Sequence, residues 1–247
     1  LFRNMAACSS TKKITYYFDC ISPYTAFAWF VLQRYKTKWA TQGVKIEYKP
    51  IFLGAVMHAT KNVSPAMAIP QKAGFVAGDI KRNCSLFRVG LLPMPSNFFS
   101  EVAKKIIVVQ RVIASAILHG LPQGRVDKII SNFTYAVHLD KSLRNEDNEL
   151  KLEKSTIASC LTAAGLSPEE TQKLMGSIST PEVKNALKGN TKEALKRGAF
   201  GSPSFWIEGG AEPHAKPFLV FGSDRFEQIA HLLGVEWSGV NPIKSNL

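Results

Sequence analysis

The chain has 247 residues, 45% of them hydrophobic and 20% charged, proportions typical of a globular protein with a buried core. The formal net charge of +12 favours anionic ligands, but the basic residues are scattered, so we expect no nucleic-acid site. The longest apolar runs, such as residues 106–109, are far too short to cross a bilayer, and we expect no membrane span.

The first fifty residues predict a strand, a helix and a second strand. Apolar and polar residues alternate in residues 13–19 and again in 44–51, as in strands. Between them, Ser22 and Pro23 are typical of an N-cap and first helical position, and apolar residues recur at helical spacing from Tyr24 to Tyr35. A β-α-β unit implies a right-handed crossover and a parallel strand pair.

The middle of the chain is predicted to be helical. One apolar stripe begins after Ser96 and ends at Gly120, and residues 122–138 continue the pattern. Three further helix starts are predicted from their capping residues: the capping box of residues 167–170, Thr180-Pro181 and Asn190-Thr191.

Beyond Gly198 the pattern returns to short strands, at 204–207 and 218–221, before a final helix that ends at Gly234. Asp224 and Glu227 fit a capping box for that helix. This order predicts an α/β fold, a thioredoxin-like domain with a large all-helical insertion. The predicted boundaries are 12–60 and 198–236 for the thioredoxin-like domain, 61–197 for the insertion, and 1–11 and 237–247 for the tails.

The junction of the first strand and helix is a natural site in such a fold, because a helix N-terminus offers free N–H groups and a partial positive charge. Ser22 and Thr25 occupy the two cysteine positions of a Cys-x-x-Cys motif, which excludes dithiol exchange there. A serine hydroxyl can still donate a hydrogen bond to the thiolate of a bound thiol. The alternative is that Ser22 only caps the helix.

The cysteines and histidines show no metal-ligand spacing, so we expect no metal site. Cys20 ends the first strand, two residues before the position of a helix-start nucleophile. We therefore predict that Cys20 is a buried packing residue.

Two distant stretches point to a peptide-like thiol ligand. Pro203 precedes a strand where thioredoxin-like folds carry a cis proline, which would leave the backbone of Ser202 free to pair with an extended peptide. Residues 222–225 lie at another predicted helix N-terminus, where Ser223 can hold a carboxylate and Asp224 an amine. Glutathione has all three groups.

Several blocks, in order and spacing, resemble the kappa class of glutathione transferases from about Lys13 to Gly234. They are FDCISPY at 18–24, Asn62 with Pro70-Gln71-Lys72 and Asp79, and residues 144–147, 180–185, 198–201 and 221–225. The resemblance implies a thioredoxin-like domain with an inserted helical domain, usually in a homodimer. It also implies glutathione as a substrate together with a small hydrophobic electrophile, and reduction of hydroperoxides as a further activity.

By this resemblance, Ser22 is the catalytic serine that hydrogen-bonds the glutathione sulfur. Ser202 pairs through its backbone, Ser223 and Asp224 bind the γ-glutamyl end, and Asp79 reaches the site of the partner subunit. The full set of implied glutathione-binding residues is Ser22, Pro23, Tyr24, Asn62, Lys72, Ser202, Pro203, Ser223, Asp224 and Arg225.

The chain departs from the family pattern at three places. Ser202 replaces a common apolar residue, Ala26 a common tryptophan, and Val63-Ser64-Pro65 a double proline. These changes lie in the expected pocket for the second substrate and affect its preference more than the binding of glutathione. Two alternatives stay open: a glutathione-dependent 2-hydroxychromene-2-carboxylate isomerase, and a non-enzymatic thioredoxin-like module that binds peptides.

The two ends of the chain bear on its location. Residues 1–13 are basic and free of acids but short for a transit peptide, and no secretory signal is expected. Ser245-Asn246-Leu247 resembles the peroxisomal signal Ser-Lys-Leu. We expect a peroxisomal or mitochondrial protein, with the cytoplasm as the alternative.

Overall fold

The computed structural model describes residues 11–210 and 216–242. Four strands form one sheet: β1 (Lys12–Phe18), β2 (Val44–Pro50), β3 (Ser204–Glu208) and β4 (Phe218–Phe221). Their spatial order is β2-β1-β3-β4; β1 and β2 are parallel, and the other neighbouring pairs are antiparallel. The predicted thioredoxin-like fold with its helical insertion is confirmed.

The described residues contain ten α-helices, eight of them between β2 and β3. They are α1 (Pro23–Thr41), α2 (Leu53–Thr60), α3 (Pro65–Ala68), α4 (Pro70–Phe87), α5 (Ala103–Leu118), α6 (Gln123–His138), α7 (Lys154–Ala163), α8 (Pro168–Ser177), α9 (Pro181–Lys196) and α10 (Phe226–Leu233). The predicted N-caps Ser22, Ser167 and Thr180 all accept a hydrogen bond in the first turn of their helices.

The alternation of β1 places its side chains in two layers, since successive residues of a strand point to opposite faces. Tyr16 stacks on Phe205 of β3 with ring centroids 5.1 Å apart, and Phe205 contacts Phe226 of α10 at 5.3 Å. Tyr17 points the other way, into a small cluster with Val56 of α2 and Ala194 of α9. The sheet is therefore covered by helices on both faces.

One predicted helix start is wrong. Asn190 and Thr191 lie inside α9, where the Asn190 amide donates to Pro50 O at 3.1 Å and the Thr191 hydroxyl accepts from Phe52 N at 3.1 Å. Their polar side chains bind the end of β2 and the loop that follows it rather than cap a helix. The stripe expected from Ser96 begins with a π-helical turn, Phe98–Val102, before α5.

The predicted capping box of Asp224 and Glu227 is also wrong. Arg225 is the N-cap of α10 and makes no side-chain capping bond, while the Asp224 carboxylate forms an ion pair with Arg225.

In the described ranges, no helix combines the length and apolar character needed to span a membrane. Within those same ranges, no group of three or more histidine, cysteine, aspartate or glutamate side chains is arranged to hold a metal ion.

Candidate active site

Ser22 lies between the first turn of α1 and the loop that precedes β3. Its hydroxyl oxygen accepts a hydrogen bond from Thr25 N at 3.4 Å, and the hydroxyl donates to the carbonyl oxygen of Ser202 at 3.2 Å. Ser22 is 7% exposed and caps a helix of 19 residues, whose N-terminus carries a partial positive charge. The hydroxyl is therefore both the helix cap and a donor directed at the loop before β3.

The Ser202–Pro203 peptide bond is cis, as predicted. Of the two backbone groups expected to be free, the Ser202 carbonyl is not, because it accepts from Ser22. The Ser202 N–H has no hydrogen-bond partner among the described residues. The Ser202 hydroxyl accepts from Asp19 N at 3.0 Å and lies 2.8 Å from the Thr25 hydroxyl. The Ser202 side chain thus makes two hydrogen bonds between the junction and the cis-proline loop.

The segment 222–225 is joined directly to this loop. Gly222 N donates to Pro203 O at 3.1 Å, and its φ of +103° is a conformation that favours glycine. Ser223 and Asp224 border a cavity of about 220 Å³, whose other lining residues come from the end of α4, the start of α10 and the C-terminal tail. Arg225 lines a different groove, between β4 and α10.

Asn62 is also tied to the cis-proline loop. Its side-chain amide donates to Phe200 O at 2.8 Å, two residues before Ser202. Lys72, in contrast, lies exposed in the first turn of α4 and makes no ion pair or hydrogen bond with the described residues. The structure therefore brings Asn62 to the loop but gives no contact that links Lys72 to it.

Tyr24 and Asp79 connect the start of α1 to the middle of α4. The Tyr24 hydroxyl donates to Asp79 Oδ2 at 2.9 Å, and Asn83 donates to the same oxygen at 2.9 Å. Burial, followed by the Asp79 carboxylate and, more weakly, by Asp224, raises the pKa of Tyr24, so the phenol stays protonated at neutral pH. Asp79 thus has partners in its own chain, and its reach into a partner subunit stays a prediction.

Cys20 is a packing residue, as predicted. It is 2% exposed within the main hydrophobic core, and burial, followed by Asp19 nearby, raises the pKa of its thiol. A thiol of raised pKa in an apolar site is a poor nucleophile.

Asp19 is a buried carboxyl group that the sequence did not single out. Its two oxygens accept from Ile21 N at 3.1 Å and Leu53 N at 2.8 Å. Burial raises the pKa of Asp19 to about 7, although both backbone bonds act in the opposite direction. The carboxyl group therefore fixes the turn before Ser22 and titrates close to neutral pH.

Two buried polar residues of the helical insertion, near the same turn, were also not predicted from the sequence. Gln110 of α5 and His138 of α6 both bind the backbone of Cys20. Gln110 could have been found in the sequence as a polar residue on an apolar stripe, because it falls at helical spacing between Ile106 and Ile113.

Residues 13–234 match the family of DSBA-like thioredoxin domains. The chain is 31% identical over 226 residues to glutathione S-transferase kappa 1 of Rattus norvegicus, with 92% of each chain covered. It is 29% identical over 234 residues to glutathione S-transferase kappa 1 of Homo sapiens, with 94% of this chain and 95% of the relative covered.

Among solved structures, one of 2-hydroxychromene-2-carboxylate isomerase is similar in fold. Its TM-score is 0.67 at 19% identity, and the alignment covers 90% of this chain and 94% of that chain. The domain-family match and the sequence identity to the two kappa-class glutathione S-transferases together identify the family. The chain belongs to the DSBA-like thioredoxin family and, within it, to the kappa-class glutathione transferases.

Proposed function

We propose that this protein binds glutathione and stabilises its thiol as a thiolate beside Ser22, for attack on small hydrophobic electrophiles. The observation that carries the proposal is the position of the Ser22 hydroxyl. It stands at the N-terminus of α1 and is hydrogen-bonded to the residue before the cis proline. The positive N-terminus of the helix stabilises a thiolate, and the backbone before the cis proline can pair with an extended peptide.

The backbone of Ser202 would pair with the cysteinyl part of glutathione. The Ser202 N–H has no partner in the described part of the chain and is a ready donor. Its carbonyl has a second lone pair beside the one that Ser22 uses, so it can accept a peptide N–H as well. These two backbone hydrogen bonds are the same kind that an extended peptide makes when it adds to the edge of a β-sheet.

The γ-glutamyl end of glutathione would lie at Ser223 and Asp224. The bond from Gly222 N to Pro203 O holds this segment against the cis-proline loop, and the cavity of about 220 Å³ opens beside both residues. Asp224 supplies a negative charge for the α-amino group, in competition with its ion pair to Arg225. Asn62 would border the ligand through its contact with Phe200 O.

Activation of the thiol follows from the single hydroxyl proton of Ser22. In the free protein that proton is donated to Ser202 O. When a sulfur atom is bound nearby, the hydroxyl can turn its proton to the sulfur, which favours the thiolate, and the thiol proton passes to solvent. The thiolate then attacks an electrophilic atom and displaces its leaving group. With a hydroperoxide it attacks the outer oxygen and breaks the O–O bond, so that the alkoxide takes a proton from water and leaves as the alcohol, while the glutathione sulfur is oxidised to a sulfenic acid.

The second substrate would be apolar, because large hydrophobic side chains are exposed near the proposed site. Phe200 and Phe221 pack against each other with centroids 4.5 Å apart and are 43% and 41% exposed. Exposed apolar residues also follow Asn62 in α3, in α4 and in the segments that precede them: Val63, Met67, Ile69 and Phe75. Exposed apolar groups of this kind are typical of a ligand or subunit contact.

Titration calorimetry with glutathione tests the proposal, followed by turnover of a chloronitrobenzene and of 2-hydroxychromene-2-carboxylate. We expect binding heat and release of the chloride leaving group. Absence of binding heat at millimolar glutathione would contradict both enzymatic alternatives and favour a peptide-binding module. Turnover of the chromene alone would identify an isomerase instead.

We also propose a homodimer, with Asp79 reaching the partner's site, and a peroxisomal or mitochondrial location. The dimer is supported by the exposed apolar residues in and just before α3 and α4. Ser245-Asn246-Leu247, on which the peroxisomal proposal depends, lies outside the described residues. Size-exclusion chromatography with light scattering tests the dimer, and imaging with and without the tripeptide tests the location.

A further inference from the structure

We propose that Gln110 and His138, from two helices of the insertion, are positioning residues that hold the turn of residues 19–22 and so direct the Ser22 hydroxyl at the glutathione sulfur. The inference rests on the proposed function. It gives the helical insertion a part in thiol activation, although neither residue touches Ser22.

Gln110 binds three backbone groups at the ends of the two parallel strands. Its amide nitrogen donates to Phe18 O at 2.8 Å and to Ile51 O at 2.9 Å, and its amide oxygen accepts from Cys20 N at 3.3 Å. The side chain is 0% exposed. A buried amide with all these bonds satisfied is rigid, because releasing any one would leave a polar group unpaired in the core.

His138 binds the other backbone group of the same residue. Its Nε2 lies 2.8 Å from Cys20 O, and since a carbonyl can only accept, Nε2 carries the proton. The ring is 7% exposed. Burial, followed by the nearby Arg144 guanidinium, lowers the pKa of His138 to about 4, against the effect of the Cys20 bond, so the ring is neutral at physiological pH.

Together the two residues hold the N–H and C=O of Cys20, two positions before Ser22. The rest of the turn is held from the thioredoxin-like side: Asp19 N donates to the Ser202 hydroxyl, and Ser22 N donates to Asp19 O at 3.2 Å. Ser22 therefore has its place set by bonds from both parts of the fold. A hydrogen bond to a thiolate weakens steeply with misalignment, so a small tilt of the Cys20 peptide would reduce it.

The matched substitutions are His138→Gln and His138→Asn. The amide nitrogen of glutamine can reach the place of Nε2 and restore the bond to Cys20 O, whereas that of asparagine is too short. We expect His138→Asn to raise the thiol pKa of bound glutathione by about one unit, a tenfold loss of thiolate at neutral pH. We expect His138→Gln to stay close to wild type, and Gln110→Met to behave like His138→Asn.

Ser115→Ala is the structural control. Ser115 is equally buried in α5 and bonds to the Ser177 hydroxyl at 2.6 Å, away from the turn. The Ser115→Ala substitution should lower the melting temperature without changing the thiol pKa of bound glutathione. If His138→Asn and Gln110→Met melt earlier but keep the wild-type thiol pKa, the two residues are merely structural and the inference is wrong.

A second readout does not depend on glutathione. In a Ser22→Cys background, the thiol at position 22 reports the geometry of the helix N-terminus by its own titration. Adding His138→Asn should raise that thiol pKa, and adding His138→Gln should not. Equal pKa values in all three proteins would overturn the inference. Absence of glutathione binding by wild type would instead overturn the proposed function.

Discussion

Replacing Ser22 by alanine removes the one hydroxyl that we propose donates to the glutathione thiolate. A hydrogen bond to a charged group contributes about 1.5–3 kcal/mol, which corresponds to a rise of roughly one to two units in the pKa of the bound thiol. The N–H groups of α1 remain, so part of the stabilisation of the thiolate is kept. At neutral pH we expect turnover to fall by about ten- to hundredfold, with little change in glutathione affinity.

The assay is a pH titration of thiolate absorbance in the glutathione complex, with pH–rate profiles in parallel. The matched control is Ser167→Ala, because Ser167 is also an N-cap followed by proline. Both variants lose a cap and should lose about 1 kcal/mol of unfolding free energy. Only Ser22→Ala should raise the thiol pKa. An identical thiol pKa in wild type and Ser22→Ala would refute the reasoning.

Three further predictions concern groups around the site. The folded pKa of Asp19, about 7, exceeds its unfolded value, so the native state binds more protons between about pH 4 and 7 and stability should fall as pH rises through that window. Urea unfolding should show that Asp19→Asn removes this slope, at most about 1.4 kcal/mol per pH unit; parallel curves would contradict it. Tyr24→Phe, which deletes the bond to Asp79, should lower the free energy of unfolding by about 1 kcal/mol, and an unchanged urea midpoint would show that this bond adds no stability. Asp224→Asn should weaken glutathione binding by roughly tenfold or more in calorimetry but leave binding of N-acetylated glutathione unchanged; equal losses for both ligands would exclude a charge contact with the amine.

The strands and first helix were predictable because local pattern and final environment agree. Successive side chains of β1 point to opposite faces of the sheet, each covered by helices. The Ser22 side chain caps the helix that begins at the next residue, so this contact is local in sequence. The prediction that Cys20 packs rather than reacts also holds, since its position at the strand end places it in the core.

What could not be predicted depends on contacts between distant segments. The helices α2, α3 and α4 were not predicted one by one. They bury few residues: Val56 is the one buried residue of α2 and Phe87 that of α4, while α3 has none. Asn190 and Thr191 resemble a helix start, but their partners, Pro50 at the end of β2 and Phe52 just beyond it, lie 140 and 139 residues away in sequence. The hydroxyl contacts of Ser202 likewise depend on which loop meets the junction, and a single sequence does not specify that.

The most direct test of the central claim is a crystal structure of the protein soaked with glutathione. We predict that the sulfur lies within hydrogen-bonding distance of Ser22 Oγ, that the cysteinyl backbone pairs with Ser202, and that the α-amino group meets Asp224. A glutathione molecule bound with its sulfur away from Ser22, or with its backbone unpaired to Ser202, would contradict the account.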